Sequence, residues 1–159
     1  MIIVADSSPL ISMAILEKTN LLEDLFDQIF IPNAVFEEIT TLEKPYSDIL
    51  YKFSKNRIKI VKNKIALSIL SHELGLGESE AIILALENNI EYILIDENKG
   101  RRIAMSKSLH PIGTIGVLIQ AKKQGLIKSI KPFLDKLILN NIFISNELYQ
   151  YSLKLTKEI

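Results

Sequence analysis

The sequence has no cysteine, no tryptophan and only two histidines, His72 and His110, among its 159 residues. Without thiols there is no disulfide framework and no cysteine-ligated zinc or iron–sulfur site. Two imidazoles are too few for a histidine-rich metal centre. An excess of one charge is also missing, since 19 basic and 19 acidic side chains cancel. Proteins that wrap duplex DNA without sequence preference rely on a basic surplus, so this balance argues against that class. No apolar run approaches the roughly 18 residues of a membrane span. The apolar opening, Met1 to Ala5, ends at Asp6, with no basic region before it and too few residues for a signal peptide. The expected location is the cytoplasm, with no membrane partner.

What is present is globular in composition, 48% apolar and 24% charged. The length suits one domain with a sizeable core. Short apolar runs rich in β-branched residues read as buried strands: Ile2–Ala5, Ile29–Ile31 stopped by Pro32, and Tyr92–Ile95. Ile58–Val61, with Lys59 inside it, reads as an edge strand, and Pro111–Gly113 as a short last strand. Helices are expected from Ser7 to Glu17, Leu21 to Phe26, after a cap at Asn33, from about Tyr46 to Phe53 beyond a loop that begins at Leu42, and over Lys64–Leu74. Further helices are expected over Glu78–Glu87, Gly100–Ser108 and Thr114–Lys123, then one started by Pro132 and one capped by Ser145. Alternating strands and helices predict a layered α/β/α domain with a mainly parallel central sheet. A helical extension follows from about residue 126. Helices near Leu10–Leu22 and Tyr46–Phe53 look richer in apolar residues than a small monomer needs, which predicts a homodimer.

In such sheets ligands sit beyond the C-terminal strand ends. Two strands end there in aspartate, Asp6 and Asp96. One such residue is readily explained as a helix cap, but two at equivalent places predict a shared edge. Glu38 follows the second strand on a helix, and Glu78 stands in the first turn of another, where an acid already suits the helix dipole. Glu37, Glu38, Glu78 and Glu80 all have a simpler reading as solvated surface. Carboxylates gathered together repel unless a cation lies between them. Oxygen donors without imidazole or thiolate select a hard ion, Mg²⁺ or Mn²⁺. Such an ion activates water and braces charge on a phosphoryl group, so the reaction class is phosphodiester hydrolysis.

Other motifs say less. Gly75-Leu76-Gly77 follows no strand and lacks dinucleotide spacing. Gly113-Thr114-Ile115-Gly116 reads as a tight turn, or as a phosphate cradle at a helix start. Arg101 and Arg102 are either solvated or contacts to a nucleic-acid backbone. No G-x-S-x-G nucleophile elbow is present.

These motifs, in this order, resemble the PIN-domain nucleases, in particular VapC-like toxins and relatives of the DUF3368 type. The resemblance covers about residues 1 to 125. Ile2-Ile3-Val4-Ala5-Asp6-Ser7 is similar to the first strand with its metal-binding Asp6 and a small hydroxyl residue, Ser7. The stretch from Ile31 to Ile39 resembles the second motif, with its acid at Glu38. The stretch from Gly75 to Ile82 resembles the third, with its acid at Glu78. Tyr92-Ile93-Leu94-Ile95-Asp96-Glu97 resembles the fourth, with its acid at Asp96 and Glu97 where many toxins carry a further aspartate. The stretch from Gly113 to Leu118 is similar to a late block of the DUF3368-like branch. The resemblance implies a Mg²⁺- or Mn²⁺-dependent endoribonuclease, the toxin of a type II toxin–antitoxin pair, with an RNA substrate, a small antitoxin partner and a homodimeric state. It places metal ligation and catalysis on Asp6, Glu38, Glu78 and Asp96, with Ser7 and Glu97 as accessories. Arg101, Arg102 and Thr114 are the candidate nucleic-acid contacts. Two other readings compete: a PIN-fold protein-interaction module with weak or no catalysis, and a flap-type DNA nuclease, which is usually longer.

Overall fold

The described strands are short, the central ones are apolar, and each runs parallel to its neighbours. The computed structural model describes residues 1–41 and 43–159; Leu42, where the expected loop begins, lies outside the described residues. The strands are β1 (Ile2–Ala5), β2 (Gln28–Pro32), β3 (Ile58–Lys59), β4 (Tyr92–Leu94) and β5 (His110–Ile112). The helices are α1 (Ser7–Ile15), α2 (Asn20–Leu25), α3 (Asn33–Thr41), α4 (Ser47–Ser54), α5 (Lys64–Leu70), α6 (Leu76–Glu87), α7 (Asn98–Ser106), α8 (Thr114–Lys123), α9 (Lys131–Leu139) and α10 (Asn146–Leu155). Sheet order is β3-β2-β1-β4-β5. β1 and β4 are neighbours as expected, with Val4 beside Ile93 and Ala5 beside Leu94.

Successive residues of a strand face opposite sides of a sheet, and here both sides are covered. Ile3, Ala5 and Leu94 join the larger core with α1, α2, α4, α8, α9 and α10. Val4, Ile93 and Ile95 join the smaller core with α5, α6 and α7. This is why the strands read as continuous apolar runs rather than alternating ones. The result is a three-layer α/β/α fold. Among the described residues no helix is long and apolar enough to cross a membrane.

Several boundaries depart from expectation. Gly77 does not punctuate: α6 begins at Leu76, and Gly75 alone stands at its N-cap. Asn33 is the first residue of α3 rather than its cap, and its amide donates to Glu37 Oε1 at 3.2 Å. α5 ends at Leu70, four residues early, because a turn intervenes before α6. β3 is confined to Ile58–Lys59 and lies at the sheet edge. The helices thought too apolar for a monomer bury Leu10, Met13, Leu22, Leu50 and Phe53 in the chain's own core. Tyr51 on α4 stays exposed.

Candidate acidic site

The strand order reverses between β1 and β4, since the chain steps from β1 to β2 and β3 on one side and then returns to the other. This switch point opens a crevice at the C-terminal edge of the sheet. Asp6 and Asp96 stand on its two sides. The sheet fixes Asp6 directly, because its N–H donates to Leu94 O at 2.9 Å.

Asp6 is buried, with 6% of its surface exposed. Burial pushes its carboxyl up to about 7 against the Ser7 N–H that would lower it, and the charges of Glu78, Glu38 and Asp96 push the same way as burial. Glu38 arrives from α3 and accepts a 2.8 Å hydrogen bond from Ser7 Oγ. Glu38 and Asp6 approach one another over Gly77, where a methyl group would stand 3.2 Å from Glu38 Oε2 and 3.5 Å from Asp6 Oδ1. The absence of a side chain at Gly77 therefore keeps the pocket open.

Glu78, in the first turn of α6, also has its pKa raised, first by burial and then by the charge of Glu97. Its Oε2 is buried without a hydrogen-bond partner. A bond to Glu97 forms only when one of the two carboxyls is protonated, since both otherwise only accept. Gly100 makes room for this oxygen: a methyl there would lie 2.8 Å from Glu78 Oε2 and 2.6 Å from Ile95 Cδ1.

Asp96 has a different setting. Thr114 donates to it twice, from N to Oδ1 at 2.7 Å and from Oγ1 to Oδ2 at 2.7 Å. Ser8 Oγ adds a longer contact of 3.4 Å to Oδ2. The start of α8 thus holds a carboxylate from its own chain, and both Thr114 donors point at Asp96 rather than outward. Arg101 turns inward and donates to Ile95 O at 2.9 Å, whereas Arg102 is exposed.

The expected acids therefore face one crevice and feel one another's charge, with Ser7 and Glu97 beside them. Their donor chemistry suits a hard divalent ion, and the orphaned Glu78 oxygen offers a free ligand atom. Among the described residues, however, no three of them stand close enough together to hold one ion.

Glu80 is a correction. Expected on the surface, it is 8% exposed and accepts from Ala34 N at 3.0 Å, which ties α6 to the start of α3. Sequence reasoning missed the gap-making roles of Gly77 and Gly100. The signal was available, since each glycine lies inside a helix that would favour alanine.

A parallel sheet with acids at its switch point defines the class: an α/β protein with a carboxylate pocket at the C-terminal sheet edge. A family model described as DUF3368: PIN domain matches residues 2–158, and the chain belongs to that family. The match runs past residue 125 and takes in α9 and α10. No curated protein and no solved structure matches the chain.

Proposed function

We propose that the crevice is a hard-ion site and that the chain is an endoribonuclease hydrolysing RNA phosphodiester bonds with Mg²⁺ or Mn²⁺. One observation carries the reading: the carboxyl of Asp6 is buried at the switch point, raised to about 7 and surrounded by the charges of three other acids. A cation is the partner that makes such a group favourable as a carboxylate. Asp6, Glu38, Glu78 and Asp96 would hold the ion, with Ser7 and Glu97 as accessories. The bound ion would lower the pKa of a water and brace charge on the phosphoryl group. Arg102 and Arg101 would contact the RNA backbone, and Thr114 would act through Asp96. The family resemblance adds the finer proposals: a cytoplasmic toxin of a type II pair, a homodimer, and a small antitoxin partner.

A second reading has a specific observation of its own. A PIN-fold interaction module with weak or no catalysis needs only the acids as they stand, with no three able to share an ion among the described residues. The arrangement as it stands supports this reading better than full activity.

RNA cleavage with and without Mg²⁺ or Mn²⁺, beside calorimetric Mn²⁺ titration, separates the two. The nuclease reading expects ion-dependent cleavage that Asp6→Asn lowers at least ~100-fold, since a lost ligand disables both the activated water and the charge stabilisation. Equal metal affinity and equal cleavage in the two proteins would rule out the site. Absence of cleavage by the wild type would leave the interaction module.

A further inference from the structure

The acidic crevice continues into a second space. A cleft of about 540 Å³ runs from Asp96 between α8 and α10, with Asn98, Arg101, Ile115, Ile119 and Tyr151 among its walls. That volume is in the range of small-ligand sites. Its walls differ in kind from one end to the other. At the sheet edge lie Asp96 and the Arg101 guanidinium, and both come within 3.1 Å of where a methyl on Gly113 would be. Arg101 spends one donor on Ile95 O and has no ion-pair partner among the described residues. It is a cation beside Asp96 but in no direct ion pair, next to the proposed chemistry. Further along, the walls are aliphatic, and Tyr151 on α10 stands 62% exposed. Its ring has no ring contact and its hydroxyl no hydrogen bond among the described residues.

A fixed positive group, an apolar trough and a free aromatic face are the complement of a nucleotide: phosphate, sugar and base. Exposed aromatic rings hold unpaired bases by stacking, and every base has a face to offer. A base in a duplex has both faces covered by its neighbours and cannot reach such a ring without leaving the stack.

We propose that the cleft between α8 and α10 is a subsite for one unpaired nucleotide of single-stranded RNA, its base against Tyr151 and its phosphate beside Arg101. The inference rests on the nuclease reading for its choice of RNA. It assigns α10, which carries none of the acids, to substrate selection.

The test measures binding, so that it does not depend on cleavage. Fluorescence anisotropy of a labelled single-stranded RNA decamer, and of the same strand in duplex, is followed in Ca²⁺ for wild type, Tyr151→Leu and Tyr151→Phe. The side chain is exposed, so neither substitution disturbs the core. Tyr151→Leu is expected to weaken single-strand binding about ten-fold, the scale of one lost base stack. Tyr151→Phe keeps the ring and the affinity, and the duplex binds more weakly than the single strand. Equal affinity of wild type and Tyr151→Leu, or no binding by wild type, overturns the subsite. So does a Tyr151→Leu change that alters only self-association in sedimentation, which would make this face a protein interface. Ion-dependent cleavage without any Tyr151 effect leaves the nuclease reading standing and removes the subsite. A Tyr151 effect on binding without cleavage does the reverse.

Discussion

Thr114 closes on Asp96 with two hydrogen bonds of 2.7 Å, one from its backbone nitrogen and one from its hydroxyl. Gly113 at the N-cap of α8 has no side chain to cap the helix. The aspartate at the end of the β4 segment does that work from a different part of the chain, and the helix dipole favours its charge. Thr114→Val removes one of the two bonds and keeps the shape. We expect a loss of about 1.5–3 kcal/mol in urea denaturation, the usual scale for a bond to a charged group. In a double-mutant cycle with Asp96→Ala the two losses should be strongly non-additive. Independent effects would show that the pair does not stabilise the fold.

Asp6 makes the ion-free protein sensitive to alkali. Its carboxyl is raised from 3.8 to about 7, first by burial and also by neighbouring acids. Between those two values the folded state holds a proton that the unfolded state has released, so stability falls as pH rises through that window. The penalty is complete above pH 7 and amounts to about 4 kcal/mol. With chelator present, Asp6→Asn should be more stable than wild type at pH 8, with the difference vanishing toward pH 4. An asparagine variant no more stable at pH 8 would contradict the burial argument.

Gly100 should tolerate no side chain. A methyl there meets Ile95 Cδ1 at 2.6 Å and Glu78 Oε2 at 2.8 Å, so both must move. Gly100→Ala gains helix propensity yet should lose about 1–3 kcal/mol through overpacking. Calorimetric Mn²⁺ titration of the folded variant should show weakened binding, because Glu78 is displaced. Unchanged stability together with unchanged binding would mean that the pocket has slack.

Far from the crevice, Glu158 clamps the C-terminal segment to the start of α9. Its carboxylate accepts from Ile130 N and Lys131 N at 3.0 Å and from Lys122 Nζ at 3.1 Å. Burial works to raise its pKa, but the Ile130 and Lys131 N–H groups outweigh it and hold the value at about 2. The contribution is therefore present above pH 4.5 and lost as pH falls from 4.5 toward 2. Glu158→Ala should cost about 1.5–3 kcal/mol at pH 7, with the gap to wild type closing in acid. A gap that stays constant down to pH 2 would refute the clamp.

We also propose that the chain unfolds as one unit, with the extension from about residue 126 included. Ile130, Leu134, Leu137 and Leu153 share the core that holds Ile3 and Leu94. Thermal unfolding followed by near-ultraviolet tyrosine signal and by far-ultraviolet circular dichroism should give coincident curves. Two separated transitions would show an independent extension.

The strand-end aspartates were legible because a buried strand leaves little choice: four apolar residues and then an acid mark both the strand and the edge where it stops. The parallel sheet followed from the alternation of such runs with helices. Glu80 was not legible. In sequence it is one of several acids on a helix, and only the approach of α3 turns it inward. The same holds for the pairing of Thr114 with Asp96, which depends on two segments meeting across the sheet edge. Helix boundaries failed where glycine was read as punctuation, at Gly77, since there the residue serves a neighbour's side chain rather than its own backbone.

The reversal of strand order between β1 and β4 has a consequence for the protein during its synthesis. Asp6 leaves the ribosome well before the segment that brings Asp96 beside it, which emerges only after β2, β3 and the helices α1 to α6 have been made. Until β4 inserts next to β1, Asp6 stands at an open strand edge, and Glu38 and Glu78 have no Asp96 to complete the crevice. Whatever the crevice does in the finished protein, a truncated product ending before β4 cannot do it, so premature termination yields inert fragments.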